Sequence, residues 1–110
     1  MPADSEFQAC VALCACPDGD TAERMAKGLV EARLAACVNI VSGVRSLYRW
    51  QGKVQDDAET LMVIKSTAPR IEALTAWLRA NHPYEVPEVV CLPVVGGSAE
   101  YLDWVASETG

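Results

Sequence analysis

A chain of 110 residues has room for one compact domain, residues 1–110, and its composition, 51% hydrophobic and 22% charged, is that of a globular protein rather than a disordered one. Nine Lys and Arg against fifteen Asp and Glu leave a net charge of -6. That sign argues against a nucleic-acid partner, which requires a concentrated basic face, and suits a cationic or metal-ion partner better.

The opening Met1-Pro2-Ala3-Asp4-Ser5-Glu6 is acidic and polar, the opposite of a secretory leader, and residues 1–6 are expected to be a disordered tail. The apolar run from Phe7 to Cys16 is too short to span a bilayer, which takes about 20 residues as a helix, so no membrane role is expected. Five cysteines, an odd number with irregular spacing and no Cys-x-x-Cys pair, read as reduced thiols in a cytoplasmic protein.

Phe7 to Cys16 is expected to form a first strand. Pro17-Asp18-Gly19-Asp20 breaks it, and Asp18 or Asp20 caps a helix whose apolar face carries Ala22, Met25, Ala26, Leu29, Val30 and Leu34. A second strand starts at Cys37-Val41, bulges at Ser42-Gly43 and resumes from Val44 to Trp50. Gln51-Gly52-Lys53 makes a turn, and a third strand runs to Thr67. Pro69 suits the first turn of a second helix, with Ile71, Leu74, Trp77 and Leu78 on its buried stripe, which Asn81-His82-Pro83 ends. Glu88 to Val95 is expected to be a fourth strand, and Ala99 to Ser107 a final helix behind the loop Gly96-Gly97-Ser98. The order is the split β-α-β pattern of an α+β, ferredoxin-like βαββαβ sandwich with an extra C-terminal helix.

In that fold the two main helices cover one face of the sheet. Strands one, three and four are nevertheless apolar at both parities: Val11 and Ala12, Leu61 and Met62, Val89 and Val90. A face open to water alternates apolar with polar residues, so the second face is expected to be buried against copies of the same chain in an obligate homo-oligomer.

Two groups of residues carry candidate chemistry. Cys14-Ala15-Cys16 places two thiols on one face of a strand end, a spacing that suits Cu(I) or another soft ion. The competing reading, cysteine as a small buried hydrophobe, is favoured because no third ligand is adjacent in sequence. His82 is either a neutral ligand or a cap on the negative end of the second helix, and only an oligomer gathering copies would complete a shell. Cys37 and Cys91 read as core. Tyr48, Arg49 and Trp50, with Glu59, Lys65, Tyr84 and Glu85, form an aromatic and polar set able to line a cleft or to pin a subunit interface. One histidine allows at most one Cys/His pair with no third member, so the chain is not expected to be an enzyme.

Cys16-Pro17-Asp18 followed by Glu31-Ala32-Arg33-Leu34-Ala35-Ala36-Cys37-Val38-Asn39-Ile40 resembles the opening signature of the CutA family of divalent-cation tolerance proteins. Ser46-Leu47-Tyr48-Arg49-Trp50-Gln51-Gly52-Lys53-Val54 is similar to that family's central hairpin. His82-Pro83-Tyr84-Glu85-Val86-Pro87-Glu88 and Glu100-Tyr101-Leu102-Asp103-Trp104 extend the match from Val11 to Val105. The resemblance implies a cytoplasmic homotrimer with sheets packed into its centre, similar in architecture to PII signalling proteins, and a role in tolerance to copper or another divalent cation. It places metal ligands at Cys14 and at a His pair, which here is Asn81-His82. From the residues themselves, Tyr48, Trp50, Glu59, Lys65, Tyr84 and Glu85 are assigned to clefts between subunits. The alternative is a PII-like sensor that binds a small metabolite or anion in those clefts.

Overall fold

The structure, a computed structural model, describes residues 8–110. The expected tail and the first residue of the expected first strand, Phe7, lie outside the described residues. Strand β1 (Ala9–Cys16) leads to helix α1 (Gly19–Glu31), then to strands β2 (Cys37–Trp50) and β3 (Lys53–Thr67). A 3-10 turn (Ala68–Arg70) opens helix α2 (Ile71–Asn81), and strand β4 (Val90–Pro93) and helix α3 (Ala99–Glu108) follow. The sheet order β2-β3-β1-β4, with every neighbouring pair antiparallel, is the ferredoxin-like sandwich.

Local chemistry sets these boundaries. Asp18 accepts the Thr21 amide at 2.8 Å and caps α1, and Ser98 accepts the Tyr101 amide and caps α3. α1 stops three residues earlier than its apolar spacing suggests. Arg33 takes φ 59, and the amides of Leu34 and Ala35 both bond back to the Leu29 carbonyl. Leu34 is therefore buried by a chain reversal, not by a helical face, while Val30 is 43% exposed. Gln51 and Gly52 both have positive φ, the requirement of a two-residue type I′ hairpin, and the register slips between Val41 and Val44, where Gly43 has φ 77. β4 is shorter than expected at both ends, although the Val94 amide beyond it still bonds to the Ala9 carbonyl at 3.1 Å.

Paired residues share a face. Cys10, Ala12, Cys14 and Cys16 of β1 look toward the helices together with Met62, Ile64 and Val38. Against them pack Ala22, Met25, Ala26 and Leu29 of α1 and Leu74 and Leu78 of α2. On the opposite face, the rows Val41-Leu61-Ala15, Asn39-Val63-Leu13-Val90 and Cys37-Lys65-Val11-Leu92 cross the sheet. Within one chain α3 covers only a corner of that face, with Leu102 and Val105 buried near Ala9 and Val11. Val90 and Leu92 stay nearly half exposed. Cys37 lies on this face, half-buried, and only Cys91 packs against the helix-side core.

β1 pairs with β3 only from Thr60 onward. The rest of the β2–β3 hairpin projects as a two-stranded arm, which gives the molecule its 48 Å long axis against 25 and 23 Å across. An arm of two strands is marginal in water by itself, and this one exposes Leu47 and Val54.

Candidate functional site

The C-terminal end of β1 carries Cys14 and Cys16 on the same, helix-covered face, each fully buried. The pairing of Leu13 with Val90 places the start of β4 beside this end, so the segment entering β4 passes over the two thiols. His82 begins that segment. Pro83 forbids it a helical conformation; it adopts φ -77 and ψ 142, closes α2 by donating its backbone N–H to Leu78, and is buried.

The imidazole does not cap α2. Its Nε2 donates to the carbonyl oxygen of Ala15, between the two cysteines, at 2.9 Å, and its Nδ1 accepts the Tyr84 amide at 3.1 Å. A carbonyl only accepts and an amide N–H only donates, so these partners assign the proton to Nε2 and the lone pair to Nδ1. One ligand atom from each of Cys14, Cys16 and His82 lies within 4.8 Å of the others. Asn81 is not part of this group; its side-chain amide turns back to the Trp77 carbonyl at 2.8 Å.

The two thiols form a coupled pair. The Cys14 thiol donates to the Ala15 carbonyl at 4.0 Å, and the neighbouring Cys16 thiol together with burial holds its proton far above the ordinary thiol range. The neighbouring Cys14 thiol in turn lowers Cys16. The pair and an imidazole form a soft donor set that fits zinc or copper, and it does not fit magnesium or calcium, which take oxygen ligands. Burial raises Cys10 to about 11, with its neighbour Cys91 adding to the effect.

The aromatic set is partly brought together. Tyr48, Trp50, Tyr84 and Glu85 line one cleft of about 380 Å³, with Gln51, Pro83 and Val86. Glu59, buried, accepts the Tyr84 hydroxyl at 2.5 Å, and Asp57, which sequence reasoning did not single out, accepts that of Tyr48 at 2.5 Å. Burial and the bond to Glu59 push the Tyr84 phenol well up, and the bond to Asp57 raises Tyr48, so both remain donors. Lys65 stands apart: its ammonium donates to Asn39, and it lines a separate cavity of about 250 Å³ beneath α3. Tyr84 links cleft and cluster, because its ring lies 4.7 Å from that of His82.

Sequence reasoning named Cys14 and His82 but set Cys16 aside for want of a nearby third ligand. His82 supplies it from 67 positions beyond Ala15. The signal lay in the topology: an antiparallel β4 beside β1 returns the segment after α2 to the end of β1.

A ferredoxin-like sandwich with thiols and an imidazole converging at one strand end defines a small α+β protein with a soft-donor centre. The family model described as CutA1 divalent ion tolerance protein matches residues 10–108, and the chain belongs to that family. It is 50% identical over 100 residues to the divalent-cation tolerance protein CutA of Thermus thermophilus, covering 91% of this chain and 97% of that one. The chloroplastic CutA protein of Arabidopsis thaliana is 47% identical over 84% of this chain, which spans about half, 51%, of that relative. The solved structure of CutA1 from Oryza sativa superposes with a TM-score of 0.92 at 42% identity, over 96% of this chain and 97% of that one.

Proposed function

We propose that this chain is a metal-handling protein that acts in tolerance to divalent cations, that it contacts the ion through Cys14 and His82, and that it works as a homotrimer and not as an enzyme. The convergence of Cys14, Cys16 and His82 carries this reading. A buried imidazole beside two buried thiols suits a metal shell, and backbone partners on both ring nitrogens fix the orientation of the ring. A nucleophilic role is poorly supported. Cys14 is held far up, and Cys16, although lowered, has no exposed surface for a substrate to reach.

The open sheet face supports self-association. Val11, Leu13, Leu61, Val63, Val90 and Leu92 form one apolar surface with the exposed arm beside it, and the resemblance implies that three copies share it. Five free thiols suit a reducing compartment such as the cytoplasm, and no helix among the described residues is long and apolar enough to cross a membrane. Within one chain the alternative, an anion sensor, is disfavoured: Glu85 lines the cleft, Asp57 and Glu59 hold its two phenols, and no basic side chain lines it.

The test is equilibrium dialysis of fully reduced protein against zinc, cobalt and reductant-maintained copper, with metal counted per chain. Saturation near one metal per chain, lost in Cys14→Ala and in His82→Gln, is expected. Failure of every ion to saturate, or binding untouched by both substitutions, overturns the reading. Light scattering of the same sample is expected to give the trimer mass, and a monomer refutes the assembly.

A further inference from the structure

We propose that Cys16 is the third ligand of this centre and that the resulting two-sulfur, one-nitrogen site selects copper(I) over divalent ions. The inference rests on the metal-handling reading above and goes beyond it by naming the third donor and the ion's charge and softness.

Geometry makes the cluster nearly a finished site. A metal bonded at about 2.3 Å to sulfur and about 2.0 Å to nitrogen in a trigonal plane holds its donors about 4 Å apart. The three donors already lie within 4.8 Å, so each has less than about 1 Å to travel. Alternation along β1 supplies the sulfur pair. Ala15 turns to the other face, Cys14 and Cys16 share the helix side, and the Ala15 carbonyl between them anchors the imidazole through Nε2. A metal bound at a ring nitrogen displaces one of the two bonds that hold the imidazole, that to the Ala15 carbonyl at 2.9 Å or that from the Tyr84 amide at 3.1 Å.

The number and kind of donors set the selectivity. Among the described residues no fourth His, Cys, Asp or Glu ligand atom joins the group, and its three members are buried. Zinc and cobalt in a closed site take four ligands, while copper(I) is satisfied by two or three soft ones. Cys16 thus restores a ligand where the expected His pair offers only His82, since Asn81 is bound to Trp77 and turned away.

The experiment is an anaerobic competition between the reduced protein and a coloured copper(I) chelator. Zinc is measured against a zinc chelator of matched strength. The wild type, Cys16→Ala, Cys16→Ser and, as a control, Cys91→Ala are compared after circular dichroism and gel filtration establish that each is folded. The expected result is one copper(I) per chain, held more tightly than zinc, with affinity falling about 100-fold or more in both Cys16 variants and unchanged in Cys91→Ala. Equal copper(I) affinity in folded Cys16 variants and wild type overturns the inference, as does a preference for zinc. If those results come with binding that still needs Cys14 and His82, the metal-handling reading survives alone. If no ion binds the wild type, both fall.

Discussion

Gly28 tests the packing that positions the site, because α1 and α2 meet across it. A Cβ built there lies 2.4 Å from Cζ2 and 2.6 Å from Cη2 of Trp77. Ordinary carbon contacts sit at about 3.5–4.0 Å, so Gly28→Ala forces the indole ring to move by more than about 1 Å. Trp77 packs against the core with Leu74 and Leu78, and a rigid ring has few ways to yield. Overpacking of this depth costs up to about 3 kcal/mol, and the better helix propensity of alanine returns about 1. The net expectation is a loss of about 2 kcal/mol, equivalent to a fall in Tm of roughly 8–16 °C for a domain of this size. Denaturant and thermal melts at one fixed chain concentration measure it, since self-association makes apparent stability depend on concentration. In a Trp77→Leu background the clash is gone, and the same Gly28→Ala change should stabilise by up to about 1 kcal/mol. A Gly28→Ala protein as stable as its parent, with Trp77 intact, refutes the reasoning.

Three further outcomes follow from particular contacts. Ser66 is fully buried and donates to the Leu34 carbonyl at 2.6 Å, so Ser66→Ala should cost about 1–3 kcal/mol with an unchanged denaturant slope; a change within measurement error contradicts this. The Thr21 hydrogen bonds hold Asp18 below its ordinary 3.8, so its carboxylate stabilises the fold above that pH and the contribution is lost as pH falls through the lower folded value. The stability gap between wild type and Asp18→Asn should therefore close in acid, and a gap that is constant from pH 7 to 2 rules this out. Val63 lies between Asn39 and Leu13 on the open face, so Val63→Glu should shift light scattering toward monomer with the far-ultraviolet spectrum retained, and an unshifted mass counts against burial of that face between copies.

The fold was legible wherever one local rule dominated. Period-two and helical spacing gave the element order, the Gln51-Gly52 turn gave the long hairpin, and Gly43 marked the bulge. Boundaries that depend on distant atoms were harder. Leu34 keeps helical spacing, yet the chain turns at Arg33, whose guanidinium donates to the carbonyls of Ser107 and Gly110 at the end of α3. Cys14 and His82 could be named from chemistry and resemblance. Cys16 needed the tertiary return of the segment after α2, and Lys65 left the cleft because it sits six residues, about 20 Å, along β3 from Glu59, where its ammonium donates to Asn39. Spacing in sequence reports neighbours along one element, and this centre is made by two.

The most direct measurement of the central claim is anomalous diffraction at the copper edge from crystals loaded anaerobically with reductant-maintained copper. One peak per chain, bonded to Cys14 Sγ, Cys16 Sγ and a ring nitrogen of His82 at about 2.0–2.4 Å, is the expected result. Copper found instead in the Tyr48–Trp50–Tyr84 cleft or beside Cys10 and Cys91, with no peak at Cys14 and His82, contradicts it.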